Sequence, residues 1–449
     1  MDGFGTGNVA TQARGAWLFD RIVTTGSVVL RTVGGDHAGT TAAHRYLSSP
    51  ESGVACIVGA LSARTVAACA GRRVVAVQDT SAIVCPGAAA GRHGLGPGAE
   101  GSRAGFFVHP VVAVDAGDEA VLGLVDAQVW TRAPERVAAR HTRSTADKES
   151  QRWLVGTQAA CTRLVGAAEV ISVADREGDL YAHFAHHARH GGPRSALLVR
   201  ARHDRALAEG GLMEAASDAW PVCDEATVTV PAGPGRRARE ARVALRTGRV
   251  TVTGRAEAGP PGQLELGLVR VDEIDPPDGV APLCWRLLTT LATETAADAR
   301  EVVRLYRLRW RIEEVFRVLK GEGLALEASQ VRVPEKLFRL AVLALGAAVR
   351  ILQLVDARDG SPRPMQDVLD AAAHPVAAVL GRAREGATAR QRNPHPPASL
   401  AWLAWIVARY GGWNCYGRPP GPKTMAQGWQ RFSAALAGAI HLREATKPV

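Results

Sequence analysis

Three acids and a short run of polar residues carry the chemistry legible in this 449-residue chain. Asp79 follows the apolar run Val74-Val75-Ala76-Val77 and a single Gln78, and Asp175 follows Val170-Ile171-Ser172-Val173-Ala174. Each run reads as a short buried strand, which puts each carboxylate at a strand's C-terminal end. That position suits a turn former or a helix cap as well as a catalytic acid. The third acid lies in a helical stretch where Tyr306, Glu313 and Lys320 are seven residues apart and Arg309 is three beyond Tyr306. On one continuous helix, at about 100° per residue, Tyr306, Glu313 and Lys320 drift only about 20° per step, and Arg309 falls about 60° to one side. A phenol, a guanidinium, a carboxylate and an ammonium then share one face, and Glu314 is turned about 100° away from Glu313. The plain alternative is an amphipathic helix with solvated charges, in which Arg309 and Glu313 form a modest i,i+4 pair.

Other reactive side chains point to less. Seven cysteines (56, 69, 85, 161, 223, 284 and 415) are odd in number, scattered and free of any CxxC pair, which argues against a disulfide framework or a structural zinc. His183, His186, His187 and His190 cluster on a helical segment. Without a patterned carboxylate or cysteine partner they read as a solvated helix face in preference to a ligand set. Gly94-Leu95-Gly96-Pro97-Gly98 lies between strands with no helix after it and reads as a hairpin loop, not a phosphate loop.

The elements that must position the acids follow from periodicity. After the strand at 74–77 come a Gly-rich loop over 86–105, two strands (106–114 and 120–130) joined by a turn at 116–118, and a helix over 149–168 with Trp153, Ala160, Leu164 and Ala167 on one face. A strand at 170–174, a helix over 178–189 and a strand at 196–200 complete the order strand, strand, strand, helix, strand, helix, strand. The first three read as a meander and the others as joined through helical crossovers, an α/β mixed sheet in the ribonuclease-H-like order. Short alternating runs between 205 and 282, split by Gly and Pro, predict a β-rich insertion. A long helical region covers 296–356, proline-rich segments mark a linker, and Met425, Trp429, Phe432, Leu436 and Ile440 form one apolar stripe of a last helix, packed on its own domain or on a second subunit. The expected division is a helical region at 1–70, a catalytic domain at 71–360 with the insertion, and a linker with a helical C-terminal domain at 361–449.

These blocks, taken together, resemble the bacterial insertion-sequence transposases of the DDE type, in the insertion-sequence-four (transposon-five-like) branch. Tyr306, Arg309, Glu313 and Lys320 match its helix signature. Val77-Gln78-Asp79-Thr80-Ser81 resembles its first catalytic block, and Asp175-Arg176-Glu177-Gly178-Asp179-Leu180-Tyr181 its second. Trp285-Arg286-Leu287-Leu288-Thr289, Asp147-Lys148-Glu149-Ser150 and Gly411-Gly412-Trp413 have counterparts as well, in order, over about residues 40–432. The resemblance implies a DNA transposase in which Asp79, Asp175 and Glu313 are catalytic and hold two Mg²⁺ ions, with Mn²⁺ able to substitute. Tyr306, Arg309, Lys320 and Arg200 would grip DNA phosphates, and Trp285 would stack on a flipped base. Residues 1–70 would recognise the element's ends, and a homodimer would hold two ends of double-stranded DNA, paired through the Met425–Ile440 stripe.

Composition agrees with a polyanionic partner. Lys and Arg total 54 against 44 Asp and Glu, giving a net charge of +10, and only five of the cations are Lys. Arg is the better fork for phosphate oxygens, although a GC-rich genome inflates Arg by itself. The longest apolar run, 340–349 between Arg339 and Arg350, falls short of bilayer length, and the N-terminus lacks a secretory pattern, so a cytoplasmic location is expected. Two other readings are a non-catalytic DNA-binding protein descended from a transposase, supported by the poor match of residues 1–40, and a ribonuclease-H-like nuclease without strand transfer.

Overall fold

The computed structural model describes residues 3–6, 8–85, 94–97, 103–132, 149–230, 237–254, 262–321 and 324–445. Residues 86–93, Gly98 and the Asp147-Lys148 pair singled out above lie outside them. In chain order the helices are α1 (Val9–Thr25), α2 (Leu30–Gly34), α3 (His37–Ser48), α4 (Val54–Cys69), α5 (Gln151–Arg163), α6 (Tyr181–His190), α7 (Met213–Asp218), α8 (Ala296–Arg307), α9 (Arg311–Lys320), α10 (Pro334–Ala357), α11 (His374–Arg382), α12 (Leu400–Tyr410) and α13 (Pro422–Ala445). The strands are β1 (Arg73–Gln78), β2 (Ser81–Val84), β3 (Gly96–Pro97), β4 (Ala104–Asp115), β5 (Val121–Trp130), β6 (Glu169–Ala174), β7 (Ser195–Arg200), β8 (Asp224–Val230), β9 (Arg239–Thr253), β10 (Gln263–Glu273) and β11 (Cys284–Thr289). The fold is mixed α/β, with a mixed sheet and flanking helices, consistent with a ribonuclease-H-like core. The chain forms two compact units, both discontinuous in sequence: Met1–Ala70 with Thr80–Val137 and Arg311–Val449, and Gly71–Asp79 with Ala138–Trp310.

The second of these units is built on strands in the order β1-β6-β7-β11-β10-β9-β8. β1, β6 and β7 run parallel. Each is a short, nearly all-apolar run, the pattern of strands covered on both faces. From β7 onward the neighbours are antiparallel. The β-rich stretch therefore extends the same sheet as consecutive strands, and β9 runs unbroken where the alternating runs 241–247 and 249–253 suggest two strands. Helices α5 and α6 cover one face. Trp153, Phe184, Ala174, Leu197, Val199 and Leu288 pack together there with Val250, Val252, Leu266 and Leu268. Helix α8 lies against β7, β9 and β10. It opens with a capping box, Thr295 and Asp298 satisfying each other's backbone N–H groups.

The helical region at 296–356 is not continuous. A 3₁₀ turn, Leu308–Trp310, separates α8 from α9, and another at Leu326–Ala328 precedes α10. A 3₁₀ segment has three residues per turn, so the single-helix arithmetic that places Tyr306, Glu313 and Lys320 on one stripe does not carry across residues 308–310.

In the other unit, β4 pairs antiparallel with β2, β3 and β5. Helices α4 and α10 lie on β5, tied down by Thr65 Oγ1 donating to the Leu124 carbonyl at 2.8 Å and Gln353 Nε2 donating to the Leu122 carbonyl at 2.6 Å. α10 starts at Pro334 and is apolar on nearly all sides, which suits a helix at the centre of a core. It corrects the expectation that no segment reaches bilayer length: by length and composition α10 qualifies, but 78% of its apolar window is buried in the protein. α13 packs against α1 and α12. Met425, Trp429, Phe432 and Leu436 are buried, and Phe432 meets Tyr410 edge-on at 5.7 Å. Those four residues are therefore covered from within the chain, and Ile440 is partly exposed.

The approach of α4 to β5 depends on Gly123, where a Cβ would lie 2.0 Å from Thr65 Oγ1. Thr65 is β-branched and held by its bond to Leu124, so it has little freedom to yield. Gly123→Ala should therefore destabilise the protein by about 1–3 kcal/mol, read as a lower denaturant midpoint. An unchanged midpoint would contradict the packing described.

Candidate active site

β1 and β6 are paired from Arg73↔Glu169 to Val77↔Val173, a constant offset of 96 residues. The same offset carries Asp79 onto Asp175, two residues past the last paired position. Neighbouring strands lie about 4.8 Å apart, and equivalent residues in a parallel pair project to the same face. The β6–β7 register, Val170↔Ser195 through Ala174↔Val199, continues the row to Arg200. Two carboxylates and a guanidinium thus stand at or just beyond the C-terminal ends of three adjacent parallel strands, on the face opposite Ala174, Val199 and the α5–α6 core. In open sheets of this type, sites gather at the C-terminal ends of the strands.

Local chemistry holds the two acids differently. Asp175 has extended backbone and caps the 3₁₀ turn Arg176–Gly178, its Oδ1 accepting the Glu177 N–H at 2.9 Å. Asp79 Oδ2 accepts from Arg309 Nη1 at 3.1 Å, an ion pair with only 19% and 11% of the two side chains exposed. The 3₁₀ turn that interrupts the helical region packs beside β1 and delivers Arg309 to it.

Tyr306 and Arg200 complete the cluster. Tyr306 is buried and hydrogen-bonds with Arg309 and Arg200. Burial pushes its phenol above the usual range, Arg309 and Arg200 pull the other way, and the Asp175 charge adds to the rise. Burial likewise lowers Arg200, which the Tyr306 phenol offsets while Arg176 and Arg309 repel it. Arg200 also donates to the Cys284 carbonyl at 3.1 Å. Trp285 is 2% exposed, its ring meeting Tyr306 edge-on at 5.1 Å and Trp310 at 6.0 Å. A base could stack on it only after one of those rings moves aside.

Of the remaining residues singled out in the sequence, Glu313 is exposed in the first turn of α9. Glu314 is engaged structurally, accepting from Arg311 Nη1 at 2.5 Å, while Arg311 also pairs with Asp356. Lys320 is half-buried, 3.9 Å from Glu327, and burial lowers its ammonium below the usual range while Glu327 opposes. Hence Tyr306, Arg309, Arg200, Trp285, Asp79 and Asp175 fall in one unit, and Glu313 and Lys320 in the other.

Among the described residues no three His, Cys, Asp or Glu side chains converge on a metal-sized site. What the strand ends offer a cation is an all-oxygen pair, Asp79 and Asp175. That fits Mg²⁺, which takes one or two carboxylates and completes its octahedron with water and phosphate oxygens. A pocket nearby is lined by Arg176, Arg202, His203, Glu214, Cys284 and Arg286.

The histidine helix departs from the expected solvated face. His183 and His187 are buried. His183 lies between Thr157 and the Gly178 carbonyl, and His187 Nε2 is 3.3 Å from Ser195 Oγ. Sequence reasoning also gave Asp179 no role. It is buried, pairs with Arg205, and accepts the backbone N–H groups of Arg202 and His203 at 2.7 and 3.0 Å, fixing the chain leaving β7. A second Asp four residues after Asp175, next to an apolar helix start, is the only signal that could have exposed it.

A ribonuclease-H-like sheet ending in paired carboxylates, with guanidiniums beside them, belongs to the class of proteins that work on nucleic-acid phosphodiesters. The family model of the transposase DDE domain matches residues 72–350, and the chain belongs to that family. Its members cleave and transfer nucleic-acid strands, take DNA as substrate and generally use divalent metal ions.

Burial pushes both His183 and His187 from 6.5 down to about 4. A histidine whose folded pKa lies below its unfolded value contributes stability that is present above the unfolded pKa and lost as pH falls toward the folded one. The denaturant midpoint should therefore drop between pH 7 and pH 5, and drop less in His187→Gln. A midpoint that holds or rises on acidification would contradict the buried neutral histidines.

Proposed function

We propose that the chain is a cut-and-paste DNA transposase of the insertion-sequence-four type, a cytoplasmic homodimer that binds the terminal inverted repeats of its element. The observation that carries this reading is the alignment of Asp79 and Asp175 at the ends of neighbouring parallel strands, with Arg309 and Arg200 beside them. Asp79 and Asp175 would hold the metal ions through carboxylate oxygens, and Glu313 of the helix signature would be the third ligand. When bound, two Mg²⁺ ions, or Mn²⁺ in their place, supply the positive charge that favours deprotonation of the attacking hydroxyl and offsets charge building up at phosphorus.

The chain's own residues then bind and orient the strand. Arg309, held by Asp79 and Tyr306, presents a planar fork to a phosphate oxygen beside the carboxylates, and Arg200 presents a second. The neutral Tyr306 phenol fixes the direction of both guanidiniums, which pre-organises them for the pentacoordinate phosphate. Lys320 grips the backbone further along. Trp285 receives a flipped base once Tyr306 or Trp310 swings away, lowering the cost of a tight hairpin. Water first attacks one strand. The freed 3′-hydroxyl attacks phosphorus of the opposite strand, displacing the flanking DNA's 3′-oxygen to form a hairpin. A second water opens the hairpin and releases that 3′-hydroxyl, which attacks target DNA and displaces a target 3′-oxygen. Each step is an in-line displacement at phosphorus. Residues 1–70 recognise the ends.

Asp79→Asn and Asp175→Asn should each lower Mg²⁺-dependent nicking of a labelled element end by about three orders of magnitude or more, while gel-shift affinity stays within a few-fold of wild type. Glu313→Gln should behave alike. Nicking and joining to plasmid at the wild-type rate in any of the three would refute the assignment of that residue.

A further inference from the structure

The β1–β6 ladder stops at Val77↔Val173, so backbone pairing alone does not fix the level of Asp79 against Asp175. On the opposite face of the sheet a chain of buried polar groups spans that interval. Gln78 Nε2 donates to Thr157 Oγ1 at 2.9 Å, Thr157 Oγ1 lies 2.8 Å from His183 Nε2, and His183 Nδ1 lies 3.1 Å from the Gly178 carbonyl. A carbonyl only accepts, so Nδ1 carries the proton and Nε2 accepts from the Thr157 hydroxyl. The whole relay runs in one direction, from the Gln78 amide to the Gly178 oxygen, and every side chain in it is buried.

Both ends of this relay adjoin the acids. Gln78 immediately precedes Asp79, and Gly178 closes the turn that Asp175 caps, its N–H bonded to the Asp175 carbonyl at 3.0 Å. That turn sits tight against the core: a Cβ on Gly178 would lie 2.6 Å from the Ala174 Cβ and 3.2 Å from the Trp153 ring. Thr157 comes from α5 and His183 from α6, so two helices brace the two strand ends.

Resting on the reading of Asp79 and Asp175 as metal ligands, we infer that Gln78, Thr157 and His183 are positioning residues for the reaction. Their hydrogen bonds lock the end of β1 to the turn after β6 and thereby set the spacing of the two carboxylates. Loss of such a support typically costs 10–100-fold in metal affinity or activity.

The test uses the full chain and Mn²⁺ as the probe, with affinity read by electron paramagnetic resonance and nicking measured in parallel. Thr157→Val, which keeps shape and removes the hydroxyl, should weaken Mn²⁺ binding about 10–100-fold and lower kcat for nicking by a similar factor, with KM for the DNA end unchanged. Thr157→Ser should restore both. Gln78→Met, which breaks the relay at its far end, should shift both quantities in the same direction as Thr157→Val and serves if that variant does not fold. Gly123→Ala, which loses stability in the other unit, should leave Mn²⁺ affinity at the wild-type value. Wild-type Mn²⁺ affinity and kcat in folded Thr157→Val or Gln78→Met, while the unchanged chain binds and nicks, overturns the inference alone. If the wild-type chain neither binds Mn²⁺ nor nicks, the reading of the site falls and the inference falls with it.

Discussion

The parallel pairing of β1 with β6 is the constraint from which the site follows. Parallel neighbours keep equivalent residues on one face at a fixed spacing, and the constant offset of 96 residues brings the two acids past the same edge of the sheet. A slip of one residue would turn one carboxylate into the α5–α6 core. There it would meet an apolar cluster unable to solvate it, and the penalty for an unpaired buried charge is large. The register therefore has hydrophobic burial on one face and charge on the other acting in the same sense.

Arg309 balances charge at the end of β1. A buried guanidinium on Asp79 offsets its negative charge, while the Tyr306 phenol and Arg200 hold the next layer. The break from α8 into a 3₁₀ turn belongs to this scheme, because it is the turn and not a continued helix that lies beside β1. Site residues and fold irregularity coincide, as expected where a local rule is broken for function.

Much of this was legible in the residues. The strands bearing Asp79 and Asp175 announced themselves as short apolar runs. The helix at 149–168 showed its buried face. Periodicity failed where tertiary contacts decide. Nothing in the Tyr306–Lys320 spacing reveals a 3₁₀ turn, since its phase differs from a helix by only a few tens of degrees over three residues. The histidines looked solvated because polarity was read without their partners; Thr157 comes from another helix and Ser195 from the next strand, and their hydrogen bonds offset the burial. The apolar stripe of α13 could not say whether its cover came from this chain or another, and the contacts with α1 and α12 answer that. The β-rich stretch gave its strands but not their continuity with the main sheet, which is set by β11 joining β7 to β10.

The most direct measurement is anomalous diffraction from crystals of the full chain grown with Mn²⁺ and a short duplex of the element's end. The account expects a manganese peak within bonding distance of carboxylate oxygens from both Asp79 and Asp175, with the Arg309 guanidinium on an adjacent phosphate. Manganese bound elsewhere while Asp79 keeps its ion pair with Arg309, or strand ends in which the two carboxylates sit out of level, would contradict it.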